Sequence, residues 1–197
     1  MLNQLTVALR MTIVMTLLTG LAYPGVVTWL AQRWYPAQAN GSLLLRDGKT
    51  IGSSLVAQTF SRPEYFHPRP SAVNYDAGLS GGSNLGPTSR GLIDRVGADA
   101  KSFRKQNPDF AGDFPSDLLT TSGSGLDPHI SPASAMAQAA RVARARGVAP
   151  AEIEQLVAER TEPRQTGFLG EPRVNVLLLN LALDERFPLH AAAEKRQ

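Results

Sequence analysis

The chain has 197 residues, 43% of them hydrophobic and 19% charged, and it contains no cysteine, which excludes thiol catalysis, disulfide bonds and cysteine-based zinc sites. Its 20 Lys and Arg residues include Arg10 and Arg33, which flank an uncharged segment; 18 basic residues then stand against 17 acidic ones elsewhere. Despite a pI of about 9.5, that near-neutral remainder lacks the basic footprint of a nucleic-acid binder.

Met11 to Gln32 carries no charged side chain. As a helix rising about 1.5 Å per residue it reaches roughly 33 Å, enough for a hydrocarbon core of about 30 Å. The segment therefore predicts one transmembrane helix over residues 11–33, anchored in a lipid bilayer. Trp29, Trp34 and Tyr35 gather at its far end, where amphipathic rings favour the membrane interface. Pro24 and Gly25 lie inside the run and are expected to kink the helix and to suit packing against neighbouring helices. The alternative is a cleaved signal peptide, with Ala37-Gln38-Ala39 as its small-x-small site. Against it, the apolar run exceeds the usual length of about 7–15 residues, and Arg33 with two aromatics separates it from that site. Arg10 and Arg33 nearly cancel in the positive-inside count, so charge leaves the orientation open.

Residues 34–197 suit one soluble domain. Leu43 to Ile51 reads as two short strands around Asp47-Gly48, a strong hairpin signal. Leu55 to Phe60 adds a candidate strand. Ser61 to Arg90 is then rich in Pro, Gly, Ser and Asn without period, and its aromatics Tyr65, Phe66 and Tyr75 favour an ordered loop over a disordered one.

From Arg90, residues Leu92, Ile93, Val96, Ala100 and Phe103 recur at helical spacing until Asn107-Pro108. Asp117 to Thr121 is a candidate strand, followed by a turn at Ser122-Gly123-Ser124-Gly125. Ser131-Pro132 reads as an N-cap with proline in the first turn, opening an alanine-rich helix to Arg146 that Gly147 ends. Pro150 opens a helix carrying Ile153, Leu156 and Val157. A loop from Thr161 to Pro172 leads to a last helix from Val176 to Glu185, capped by Asn175. The fold class expected is α+β: one N-terminal transmembrane helix followed by a mixed soluble domain.

Gly48-Lys49-Thr50 resembles the end of a P-loop, but the position of its leading glycine is Leu43, so a hairpin turn is the better reading. Leu79-Ser80-Gly81-Gly82-Ser83 is similar to the Leu-Ser-Gly-Gly-Gln signature of ABC-type ATPases, where serine and glycine amides meet a γ-phosphate. Ser83 replaces the glutamine and Pro87 delays any helix, so these five residues are either a nucleotide contact or an ordered Gly-rich turn. Ser124 lacks the glycine two residues earlier that a nucleophile elbow requires. His67, His129 and His190 have no metal-ligand spacing, so no catalytic residue and no metal site are assigned. Arg141 and Arg144 fall three apart on a helix and either meet an anionic partner or are solvated.

Taken in order, Gly52-Ser53-Ser54-Leu55 with Gln58 and Phe60, and Tyr65-Phe66-His67 with Arg69-Pro70-Ser71-Ala72, resemble the C subunit of the Kdp potassium-transporting ATPase. Ser80 to Leu85 resembles that family's Gly-rich segment, and Thr121 to Asp127 with Ile130 its second turn. Val174-Asn175-Val176 with Leu179 to Asp184 resembles its C-terminal signature. The resemblance implies a subunit of a bacterial inner-membrane complex. In it the A subunit binds potassium, the B subunit is an ATP-hydrolysing P-type ATPase, and a small F subunit stabilises the assembly. It also implies a catalytic chaperone that raises the ATP affinity of the B subunit through a transient ternary complex with ATP. Family topology places residues 1–10 in the cytoplasm and residues 34–197 in the periplasm, across the bilayer from the ATP site. The chain has no Asp-Lys-Thr-Gly phosphorylation motif and no Thr-Val-Gly-Tyr-Gly filter, so it reads as a non-catalytic partner. Either it touches nucleotide directly, or its helix packs on the A subunit while the outer domain shapes potassium entry. A free-standing membrane-anchored envelope enzyme or binding protein is the alternative from another class.

Overall fold

A computed structural model describes residues 2–46 and 48–189; Asp47 and His190 lie outside the described residues. The chain divides after Ser53 into two compact units.

In the first unit Leu2–Trp34 is one helix of 33 residues, long and apolar enough to cross a membrane, with no residue buried. Leu5, Leu9, Leu17, Val26 and Trp29 all face outward. Apolar side chains on every face suit lipid or other helices, not water. The helix starts well before the predicted position 11 and is built in three parts: α1 (Leu2–Met15), a π-helical segment (Thr16–Ala22) and α2 (Tyr23–Trp34). The Tyr23 N–H reaches back five residues to the Leu18 carbonyl. Pro24 has no N–H and its ring crowds the carbonyl four residues earlier, so a widened turn just ahead of it relieves that crowding. The Thr19 hydroxyl donates to the Met15 carbonyl at 2.7 Å, satisfying another backbone acceptor in the same stretch.

A single turn, α3 (Pro36–Ala39), leads to the predicted hairpin, β1 (Leu43–Arg46) and β2 (Lys49–Ser53), with a bulge between Leu44 and Leu45. Gly48 sits at φ 74°, the left-handed conformation its turn position favours.

In the second unit, residues 54–89 contain no helix or strand. The strand expected over Leu55 to Phe60 does not form, because the Ala57 N–H is taken by the carbonyl of Leu126, a loop residue, at 2.9 Å. Helix α4 (Arg90–Gln106) follows as predicted. Asp117 to Thr121 is not a strand either: Pro115 opens one helical turn, α5 (Ser116–Leu119). There the Asp117 carboxylate accepts from the Ser131 N–H at 2.6 Å and from the Ser131 and Ser134 hydroxyls, a tertiary contact that overrides local preference.

The rest is β3 (His129–Ile130), α6 (Pro132–Arg146), α7 (Pro150–Glu159), β4 (Thr161–Glu162), β5 (Arg173–Asn175) and α8 (Val176–Arg186). The three short strands form an antiparallel sheet in the order β3-β5-β4, with Val174 opposite both Ile130 and Thr161. Ser131 caps α6 by accepting from the Ser134 N–H. At the other end Gly147, at φ 69°, lets its own N–H reach the Arg144 carbonyl and the Val148 N–H reach that of Ala143, a Schellman closure. Ala135, Ala139 and Ala143 on α6 are small enough to admit Ile153, Leu156 and Val157 of α7 and Leu179 and Leu183 of α8 into one core. A second, smaller cluster joins Leu118 and Leu119 to Val96, Ala100 and Phe103 of α4 and to Phe110 and Phe114.

Candidate functional site

The long loop is ordered by two sets of contacts, and the first comes from polar side chains buried on α6 and α8. Asn180 accepts from the Phe66 N–H and donates to the Phe66 carbonyl, each at 2.9 Å. Gln138 does the same for His67, at 2.8 and 3.1 Å. Two amide side chains thus replace the strand partner that Phe66-His67 lacks.

Arg141 donates to the Pro63 and Tyr65 carbonyls, to Asn107 Oδ1 and to Gln138 Oε1. Arg146 donates to the Glu64 and Phe187 carbonyls and pairs with Asp184 at 2.8 Å, with its guanidinium over the Tyr65 ring. Burial pushes the Arg141 pKa down to about 10, with Glu64 acting in the opposite direction. His67 donates from Nε2 to the Arg62 carbonyl, and burial first, then the charge of Arg141, lowers its pKa to about 4. The imidazole is therefore neutral at physiological pH.

The second set joins the two Gly-rich segments. The Gly81 N–H donates to the Ser124 carbonyl at 2.9 Å, and the Ser80 hydroxyl faces the same oxygen at 3.5 Å. Leu79 is exposed, with its N–H turned to the Asp76 carbonyl, and Ser83 Oγ accepts from the Thr121 hydroxyl at 3.4 Å. A side chain at Gly82 would come within 3.4 Å of Gly123, so the backbones approach closely there. Ser71 is the hub: it donates to the Gly125 carbonyl at 2.6 Å and accepts from the Val73 and Tyr75 N–H groups. Arg69 pairs with Asp127 at 3.1 Å and donates to the Thr121 carbonyl. Burial raises the Asp127 carboxyl, but hydrogen bonds from His129 and the charge of Arg69 outweigh it and hold the group below its usual range.

The structure thus brings Ser80 to Ser83, but not Leu79, against the turn at 121–127, which sequence reading treated as a separate motif. The donors facing that turn, the Gly81 amide and the Ser80 hydroxyl, are aimed at a protein carbonyl, and a phosphate would have to displace Ser124 to use them. Pro24 and Gly25 lie in the other unit, at the start of α2, and a side chain added at Gly25 would meet nothing within 4 Å. Arg141 is buried, and its guanidinium is engaged by two loop carbonyls, Asn107 and Gln138; Arg144 is half exposed and pairs with Asp109. His67 and His129 hold separate local partners, Arg62 and Asp127. Among the described residues no three His, Asp or Glu side chains gather as a metal-sized cluster. Sequence reasoning missed Gln138, Arg146 and Asn180. Their signal was their place on helix faces that are otherwise apolar.

Comparison with known proteins covers nearly the whole chain. The family model described as "K+-transporting ATPase, c chain" matches residues 5–185, the apolar helix included. A potassium-transporting ATPase KdpC subunit of Rhodospirillum rubrum is 58% identical over 191 residues, covering 96% of this chain and 99% of the relative. A KdpC subunit of Myxococcus xanthus is 57% identical, covering 94% of this chain and 90% of the relative. One from Gemmatimonas aurantiaca is 54% identical, covering 93% and 94%.

Proposed function

The chain belongs to the KdpC family, the c chains of K+-transporting ATPases, and from that premise we propose that it is an accessory, non-catalytic subunit of a high-affinity potassium uptake ATPase. Its partners are a potassium-binding A subunit, an ATP-hydrolysing B subunit and a small F subunit. It sits in the bacterial inner membrane with its N-terminus in the cytoplasm and its second unit in the periplasm. The observation that carries this reading is the match over residues 5–185 together with a helix of 33 residues whose apolar faces are all unburied. Such a helix is stable only among lipids and other helices.

The chain promotes ATP binding by the B subunit through subunit contacts, as a coupling free energy, and does not touch the γ-phosphate. The inward use of the Gly81 amide and the Ser80 hydroxyl supports this over direct contact at Leu79, Ser80, Gly81, Gly82 and Ser83. Shaping of potassium entry by the second unit follows from the same placement.

The test is purification of the tagged full chain from membranes. Co-elution of the A, B and F subunits is expected, with ATP hydrolysis whose apparent ATP affinity falls when the chain is left out. Ser80→Ala combined with Gly81→Ala should leave ATP dependence unchanged. A loss of photolabelling by an ATP analogue in that double variant would restore the direct-contact reading. Recovery of the chain alone, with an activity of its own, would favour a free-standing envelope protein.

A further inference from the structure

Helix α6 carries two buried arginines, and they differ in one respect. Arg146, 2% exposed, has a carboxylate partner in Asp184 at 2.8 Å. Arg141, 5% exposed, has none: its hydrogen bonds go to the Pro63 and Tyr65 carbonyls, Asn107 Oδ1 and Gln138 Oε1, all of them neutral. Glu64, the carboxylate whose charge Arg141 feels, makes its own ion pair with Arg62. Arginines are almost never fully buried unless paired. A guanidinium also has five N–H groups, so one of the two on Nη2 is left without an acceptor among the described residues.

Arg141 lines a cavity of about 330 Å³ where the long loop meets α4 and α6. The mouth is polar, with Ser61, Gln106 and Arg144 exposed, and the walls are Pro63, Ala145 and the ring of His67. The lining thus holds two cationic side chains and no carboxylate. Asp109, the partner of Arg144, lies outside it, and because both side chains of that pair are more than half exposed the pair holds Arg144 only weakly. The positive field reaches the opposite wall, since the charge of Arg141 acts with burial to keep His67 neutral.

These surroundings select among anions. A phosphate has three charged oxygens and is met elsewhere by nests of backbone amides or by helix N-termini. Here there are none: Arg141 lies mid-helix, and the cavity offers side chains of fixed, planar fork geometry beside apolar walls. A carboxylate has two oxygens in one plane and matches such a fork.

We propose that this cavity binds the carboxylate of a small organic acid, which supplies the counter-ion Arg141 lacks, meets Arg144 at the mouth and lays its apolar body against Pro63, Ala145 and the His67 ring. The bound acid would also brace the loop on α6, because Arg141 is what holds the Pro63 and Tyr65 carbonyls.

The experiment uses the full chain in lipid nanodiscs near neutral pH and pentanoate as the probe. The ring signals of His67 report from the cavity wall, and those of His129, which lines no part of it, serve as the internal reference. Pentanoate should move the His67 signals saturably, with half-saturation at about 1–10 mM for an acid of this size, and leave His129 in place. Arg141→Gln removes the loop's hydrogen bonds together with the charge, so two other variants carry the test. Arg144→Glu reverses the charge at the mouth, and Ala145→Leu fills the cavity from an exposed turn of α6; each should weaken the response about tenfold or more. At ten times the half-saturating concentration the unfolding midpoint of the natural chain should rise by about 3–6 °C. No saturable movement of His67 up to about 100 mM, equal movement at His129, or a response that both variants leave intact would overturn the site. Inorganic phosphate binding more tightly than pentanoate would overturn the carboxylate assignment.

Discussion

Asn180 of α8 and Phe66 of the long loop are joined by a two-way amide pair, N–H to Oδ1 and Nδ2–H to carbonyl, both 2.9 Å long and both buried. Helix α8 therefore holds the Tyr65-Phe66-His67 segment by backbone and not only by packing of the Phe66 ring. Asn180→Leu removes both partners at once, leaving a buried donor and a buried acceptor that each cost about 1–3 kcal/mol. A loss of about 2–6 kcal/mol in chemical unfolding of the full chain is expected. Asn180→Asp keeps an acceptor for the Phe66 N–H but sets a buried carboxylate against the Phe66 carbonyl, so at neutral pH it should lose no less.

Arg146 is 2% exposed and ties three carbonyls and Asp184 to one guanidinium. Arg146→Ala should destabilise by about 3 kcal/mol or more, as expected when one partner of a buried ion pair is deleted. Arg146→Lys keeps the charge but not the fork, so unfolding measurements should place it between the two.

His67 sets a pH dependence whose sign is fixed by its environment. Its pKa falls from the ordinary 6.5 to about 4 on folding, so between these values the unfolded chain binds more protons than the folded one. This contribution to stability is intact above pH 6.5 and is lost as the pH falls toward 4. Unfolding midpoints recorded across that window should fall for the natural chain and fall less for His67→Gln.

Two glycines of one turn should respond oppositely to alanine. Gly125 has φ 69°, and a side chain there would lie 2.8 Å from the Gly81 carbonyl and from Val73. Gly123 has open space and no positive φ. Left-handed strain alone costs roughly 1–2 kcal/mol, so Gly125→Ala should lose at least about 2 kcal/mol with the clash added. Gly123→Ala should stay within about 0.5 kcal/mol, as surface substitutions do. Thermal melts of the two variants make the comparison.

Local chemistry was sufficient to read α4, α6, α7 and α8. Ser131, Pro132 and Gly147 bracket α6 at the predicted residues, Asn175 caps α8, and the apolar period of α4 is present as read. Leu55 to Phe60 and Asp117 to Thr121 were misread because distant groups decide them: the Leu126 carbonyl for Ala57, and the α6 cap for Asp117. Of the site, the Gly-rich segments were visible as motifs, but not their contact with each other, since no spacing rule pairs Gly81 with Ser124. Arg141 looked like a surface charge because the carbonyls that bury it belong to a loop without periodicity. Family resemblance pointed to the same loop for a different reason, its motif Tyr65-Phe66-His67.

The π-helical stretch before Pro24 carries a consequence for mapping neighbours along the span. An α-helix advances about 100° per residue, so each residue accommodated by a widened turn rotates everything after it by on the order of that angle. The stripe of α1 that faces a given neighbour is thereby re-phased at Thr16–Ala22, and α2 presents a different azimuth to it. A cysteine-by-cysteine scan should show a helical repeat from Leu2 to Met15, a slip over the next seven residues, and the repeat resumed out of phase from Tyr23 to Trp34. One proline thus lets a single helix turn two different faces to its surroundings at two levels along its length.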